Sequence, residues 1–221
     1  MNQTLELFWI SGSPFAWRVQ LVLAIHNIDY VSHLLDLSKK EQKQPNYLAL
    51  NPRGQVPLLR HGELLVRESV AILVYLDSLY PEWQLFGNTS QDKAVIWQQV
   101  CEVENLIVPY LRQFVIPIFF GSLEDKKDEV IEAYEKLSYE FSILNDVLEN
   151  KDLLAGDRLS AADIVTYPVL KLVERAATRE AAKKLNLDLL SFEKKHPYLG
   201  EWLQKIENIP GVVNTYPPHW R

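Results

Sequence analysis

The period of the apolar positions changes along the chain. Residues 5–10 (LELFWI) form a short run of strand formers, closed by Ser11-Gly12-Ser13-Pro14. Phe15, Val19, Val22, Leu23 and Ile25 then recur at helical spacing, so the opening reads strand, tight turn, helix. Residues 29–36 (DYVSHLLD) predict a second strand. Residues 38–51 are polar and read as a loop with a short helix over 45–50. Residues 56–60 and 64–67 predict two short strands about a His61-Gly62-Glu63 turn, and residues 68–79 (ESVAILVYLDSL) predict a helix.

Residues 80–89 (YPEWQLFGNT) hold Pro81 and Gly87 and no period. Beyond them the strand signals vanish. Residues 90–120 predict a long helix, bent or interrupted near Pro109 and Pro117. Over residues 124–149, Val130, Tyr134, Leu137, Phe141, Leu144 and Leu148 follow in steps of three and four, an amphipathic helix. Further helices are expected over 160–175, about 179–185 and 197–206, followed by a Pro-rich tail from Pro210. The pattern divides the chain into an α/β domain over 1–80, a linker over 81–89 and an all-helical domain over 90–221.

Composition narrows the function classes. The chain has 221 residues, 48% hydrophobic and 24% charged, enough for two ordinary domains with real cores. Its 23 Lys and Arg against 29 Asp and Glu leave a net charge of −6, without a basic cluster, so nucleic acid is not an expected partner. The single cysteine, Cys101, cannot form an internal disulfide, fits a reducing compartment and reads as a small buried apolar residue. No basic n-region with an apolar run opens the chain, and the apolar stretch near 115–120 is too short to span a bilayer, so no signal peptide and no membrane association are expected. The five histidines lack zinc-type spacing, and there is no phosphate loop or G-x-S-x-G. No metal is expected.

Three segments carry candidate chemistry, each with a plainer structural reading beside it. In Ser11-Gly12-Ser13-Pro14-Phe15, Ser13 is a good N-cap and Pro14 a good first helical residue. The same geometry suits a thiolate, because a helix N-terminus favours negative charge and a serine hydroxyl can donate to sulfur. Lowering a thiol's pKa by two units requires about 2.7 kcal/mol of selective stabilisation, within reach of one charge-assisted hydrogen bond plus a helix end. In Asn51-Pro52-Arg53-Gly54-Gln55-Val56-Pro57, the bland reading is a turn before a hairpin. If the Val56–Pro57 bond is cis, the Val56 backbone faces outward and can pair with an extended peptide. Glu68-Ser69 opens the next helix. Ser69 is either its cap or, with Glu68, a receptor for an amino-acid headgroup.

The order of these segments, strand–SPFAWRV–helix, NPRGQVPLL, ESVAILVYL, then an all-helical half, resembles the cytosolic glutathione transferase family over nearly the whole chain. It is similar to the serine-type members, of theta, zeta, tau and phi kind. Residues 154–165 (LAGDRLSAADIV) resemble that family's folding motif. There Ser160 caps, Asp163 answers three residues on, and Leu159 can staple to Ile164.

The resemblance implies a thioredoxin-like first domain that binds glutathione as co-substrate. It places the thiolate-stabilising hydroxyl at Ser13, with Ser11 as the alternative. Val56, before the presumed cis-Pro57, would pair with the cysteinyl part. Glu68 and Ser69 would hold the γ-glutamyl end, and Gln55, Gln42 and Lys43 would lie near the glycyl carboxylate. Phe15, Tyr110, Phe114 and Trp220 would wall the electrophile site. The absence of a cysteine at the first turn departs from the thiol-transferase branch, since serine forms no mixed disulfide. The implied activity is conjugation of glutathione to small hydrophobic electrophiles, with peroxide reduction as a further possibility, in a cytoplasmic homodimer. Zeta-type isomerisation and a non-catalytic binding module of the same fold remain the alternatives.

Overall fold

Strand alternation places Leu5 and Leu7 on one face of the first strand and Glu6 and Phe8 on the other. The computed structural model describes residues 4–185, 187 and 192–220. It forms two compact units, one running to Leu85 and including the segment from Ile209, the other spanning Phe86–Asn208.

In the first unit, β1 (Leu5–Trp9) is followed by α1 (Pro14–Ile25) and β2 (Val31–Leu34), then α2 (Pro45–Leu50), β3 (Leu58–His61), β4 (Leu64–Arg67) and α3 (Ser69–Leu79). The sheet order is β2-β1-β3-β4, with β1 parallel to β2 and antiparallel to β3. The second strand is shorter than the eight residues expected, because only Val31–Leu34 pair with β1. Leu7 and its cross-strand partner Leu59 are fully buried, as are Val19, Val22 and Leu23 of α1 and Ile72, Leu73 and Leu76 of α3, which packs on α1. On the other face Phe8 packs with Tyr47 of α2 and Leu58.

Glu6 sits among basic partners on that second face. Arg60, directly opposite on β3, donates to both its carboxylate oxygens, and His33 Nε2 lies 2.8 Å away on β2. The Arg60 hydrogen bonds, then that to His33, pull the Glu6 carboxyl down to about 2. Its folded pKa is thus depressed, so the stability it contributes is present above the ordinary carboxylate value and lost as pH falls through about 2. Glu6 and Arg60 retain 20% and 34% of their side-chain exposure, so solvent screens the pair and it contributes less than a buried pair would. Glu6→Gln is expected to destabilise by about 1 to 2 kcal/mol at neutral pH, a difference that vanishes toward pH 2 in denaturant titrations.

Residues 80–85 are not a free linker. Trp83 stacks with His26 and with Tyr80, with centroids 4.0 and 4.4 Å away, and Leu85 N–H donates to Asp77 (2.7 Å). The tail also departs from the expected division, since it packs on α1 rather than with the helices. Trp17 Nε1 donates to Thr215 Oγ1 (2.6 Å), and the Trp17 ring meets Tyr216 and Trp220 edge-on at 5.1 and 5.4 Å. Gly211 (φ +93) permits the approach, because a Cβ there would lie 2.6 Å from the Ala24 carbonyl.

The second unit carries α4 (Ser90–Glu102), α5 (Val108–Phe120), α6 (Lys127–Leu148), α7 (Ala161–Ala177), α8 (Glu180–Lys183), α9 (Phe192–Lys195) and α10 (Pro197–Glu207). Thr89 and Asp92 form a capping box at the start of α4. The expected break near Pro109 is a π-helical turn over Val103–Ile107, where Val108 N–H reaches back to Val103. Proline lacks an N–H and its ring crowds the preceding turn, so a widened turn ahead of it relieves the clash. Pro117 is carried inside α5. The run Ser90–Phe120 is long and apolar enough to cross a membrane on length and composition, unlike the short stretch read from the sequence. Its Val100, Val103, Ile107, Leu111 and Phe114 are instead buried, and α5 packs on α6 and α7. Cys101 corrects the expectation of burial, since it lies exposed on α4.

Ser160 and Asp163 form the expected capping box at α7. The fully buried Asp163 carboxylate accepts from Ser160 N–H and Oγ, Leu154 N–H and Trp202 Nε1, all at 3.0 Å. Burial pushes its pKa up, and the four donors counter part of that rise.

Candidate functional site

The turn between β1 and α1 carries two hydroxyls in different settings. Ser13 is the N-cap of α1, with extended backbone (φ −74, ψ 117), and its Oγ accepts from Ala16 N–H at 3.3 Å. That bond uses an oxygen lone pair, so the hydroxyl proton remains able to donate. Pro14 follows at the first helical position, and α1 brings the positive end of its dipole to the same point. Ser11 Oγ lies 2.9 Å from His219 Nδ1.

The second segment is built around a buried asparagine. Asn51 Nδ2 and the Tyr47 hydroxyl each donate to the Gln55 carbonyl at 2.7 Å, while Asn51 Oδ1 and its own carbonyl accept from Arg53 N–H and Gly54 N–H. Gly54 holds φ +58, and a Cβ there would fall 2.7 Å from the Gln42 carbonyl and 2.9 Å from the Lys43 side chain. Only glycine lets the 41–43 segment come so close. Gln42 and Lys43 are thereby brought beside the turn, and Lys43 Nζ donates to the Arg53 carbonyl at 3.2 Å. The Val56–Pro57 bond is cis. The Val56 backbone N–H and carbonyl make no hydrogen bond among the described residues, and Gln55 presents an exposed side chain.

At the third segment Ser69 does not cap α3; it is the first helical residue. Glu68 precedes it with φ +66, a conformation that is uncommon for a non-glycine residue, and no side chain caps the helix. The first-turn N–H groups of α3 therefore meet no capping side chain, and Glu68 stands exposed beside them. Ser69 is buried, and its Oγ accepts from Arg18 Nη1 at 3.1 Å. As with Ser13, an accepted bond leaves the hydroxyl proton available.

Of the expected electrophile-side residues, Phe15 is half-buried under the Arg18 guanidinium (5.0 Å), and Trp220 lies edge-on to Trp17. Both belong to the first unit. In the second, Tyr110 is half-buried on α5, and Phe114 is fully buried, 6.3 Å from the Tyr134 ring. Sequence reasoning missed Tyr47 and Asn51 as supports of the Gln55 carbonyl. It also missed His219 as the partner of Ser11, for which no local signal exists. Arg18 is the buried anchor of Ser69. Among the described residues there is no cluster of three or more His, Cys, Asp or Glu suited to a metal ion.

Two family models match the chain: "Glutathione S-transferase, N-terminal domain" over residues 3–78 and "Glutathione S-transferase, C-terminal domain" over residues 100–210. The chain is 30% identical over 211 residues to Glutathione S-transferase D7 of Drosophila melanogaster, covering 94% of this chain and 86% of the relative. It is 27% identical over 215 residues to the zeta-class glutathione S-transferase of Euphorbia esula, covering 96% and 90%. The crystal structure of glutathione transferase URE2P8 from Phanerochaete chrysosporium with oxidized glutathione superposes with a TM-score of 0.83 at 26% identity, covering 97% of this chain and 94% of that one. With both domain models matched in order on this fold, the chain belongs to the glutathione S-transferase family.

Proposed function

We propose that the chain activates the glutathione thiol as a thiolate for attack on small hydrophobic electrophiles. The carrying observation is Ser13: its Oγ caps α1 by accepting from Ala16 N–H, leaving a hydroxyl donor at a helix N-terminus. A thiolate there gains a charge-assisted hydrogen bond that the neutral thiol does not, so its pKa falls. The sulfur then attacks an electrophilic carbon, a C–S bond forms, and the leaving group departs with its electron pair. The thiol proton has already passed to solvent.

Glutathione itself is held along the three segments. The Val56 backbone pairs with the cysteinyl unit as an added strand would. The uncapped first turn of α3 and the Ser69 hydroxyl take the γ-glutamyl carboxylate, and Glu68 takes its ammonium. Gln55, Gln42 and Lys43 stand for the glycyl carboxylate. Phe15 and Trp220 serve the electrophile in the first unit. Hydroperoxide reduction uses the same thiolate with two glutathiones giving the disulfide, an alcohol and water. The expected working form is a cytoplasmic homodimer, which sedimentation of the full chain checks for its oligomeric part.

The test is conjugation of glutathione to a chromogenic aryl halide by the wild-type protein, with glutathione affinity measured by calorimetry. Absence of both binding and turnover overturns the proposal. In the same calorimetry, Ser69→Ala is expected to weaken glutathione binding about tenfold, the loss of one hydrogen bond to a charged group. An unchanged affinity removes Ser69 from the site.

A further inference from the structure

The last described residues of the chain return to the turn that carries the two serines. Trp220 Nε1 donates to His219 Nε2 at 3.0 Å, and His219 Nδ1 lies 2.9 Å from Ser11 Oγ. An indole nitrogen can only donate, so Nε2 must hold a lone pair. The neutral imidazole then carries its proton on Nδ1, and that proton points at Ser11. Ser11 Oγ is the acceptor in this pair, which leaves its own hydroxyl proton to be donated elsewhere. The same tautomer rules out His219 as a base toward Ser11, so the pair is not a nucleophile with its general base.

The turn is shaped for this contact. Gly12, between the two serines, has φ +86, and a Cβ there would sit 3.1 Å from His219 Cε1, 3.2 Å from Nε2 and 3.4 Å from Trp220 Nε1. Any other residue would be strained and would push against the tail. The tail is also anchored independently of Ser11, through Thr215, Tyr216 and Trp220 on the Trp17 side chain.

We infer that His219 is a positioning residue of the thiol site: by donating to Ser11 Oγ it turns the Ser11 hydroxyl into a second donor toward the glutathione sulfur, beside that of Ser13. Ser13 is oriented by the backbone of its own helix and Ser11 by the far end of the chain. The inference rests on the glutathione reading of the site. Because His219 is exposed, its contribution is smaller than that of Ser13.

The readout is the pKa of enzyme-bound glutathione, followed by the ultraviolet thiolate band, together with kcat at neutral and alkaline pH. His219→Phe keeps a ring over Gly12 and removes the donor. It is expected to raise the bound thiol's pKa by about half a unit and lower kcat near neutrality by about threefold. The loss should fade at alkaline pH, with little change in KM for glutathione. His219→Asn, whose amide nitrogen falls where Nδ1 was, should recover most of the loss. Ser11→Ala should match His219→Phe, and the double variant should lose nothing more. A wild-type thiol pKa in His219→Phe overturns the inference, as does a further pKa rise when His219→Phe is added to Ser11→Ala. Either result leaves Ser13 and the glutathione reading standing. If the wild-type protein binds no glutathione, that reading falls and takes this one with it.

Discussion

Ser13→Ala is expected to lower kcat for aryl halide conjugation by about tenfold or more, equivalent to at least about 1.4 kcal/mol of lost transition-state stabilisation, while leaving glutathione affinity nearly intact. The asymmetry follows from where the hydroxyl acts: it discriminates thiolate from thiol and does not hold the rest of the peptide. The bound thiol's pKa should rise toward its free value of about 8.5, so the activity profile moves to higher pH and the deficit shrinks there. Alanine also removes the cap of α1, which costs about 1 kcal/mol of stability. Ser13→Gly separates the two effects, because glycine costs a capped helix only a few tenths of a kcal/mol yet lacks the same donor. Equal losses of turnover in both variants assign the effect to the hydroxyl. Full activity in Ser13→Gly reduces Ser13 to a helix cap.

Asp163→Ala is expected to cost about 4 kcal/mol of stability, the largest loss of any single substitution considered for this chain. Four donors converge on this carboxylate, and alanine would strand Leu154 N–H, Ser160 N–H and the Trp202 indole without an acceptor in a site with no exposed surface. At about 2 to 4 °C per kcal/mol for a chain of this size, the melting temperature should drop by about 10 °C. Asp163→Asn should fall between, since the amide oxygen still accepts from one pair of donors while its NH2 group faces the other. Far-ultraviolet circular dichroism against denaturant reads the loss. A loss under about 1 kcal/mol in Asp163→Ala would mean the donors find other partners and that the cluster is not what holds α7 in place.

Much of the fold was legible because its signals are local. The strand-to-helix change of period at Ser11–Pro14, the hairpin about Gly62, the capping box at Ser160 and the steps of three and four along α6 each lie within a few residues of chain. The proline break near residue 109 was expected, although its form, a π turn, depends on how the helix relaxes around the ring. The three segments of the candidate site were also readable in order. What each does geometrically was not. Ser69, read either as the cap of α3 or with Glu68 as a headgroup receptor, is the first helical residue and accepts from Arg18, which lies 51 residues earlier. Cys101 fitted the pattern of a small buried residue, yet its place on the circumference of α4 leaves it exposed.

The sequence by itself determined the element types, the two-part organisation and the family, because caps, turn residues and apolar periods bias each short segment independently of the rest. Only the tertiary structure decided the cis geometry at Pro57, the burial of Arg18 against Ser69, and the return of the tail to the first turn. The Trp17–Thr215 and Ser11–His219 contacts join residues 198 and 208 positions apart. Local preference says nothing about such pairs. They form because Gly12 and Gly211 leave room for close approach and because Trp17 gives the tail a surface to bury.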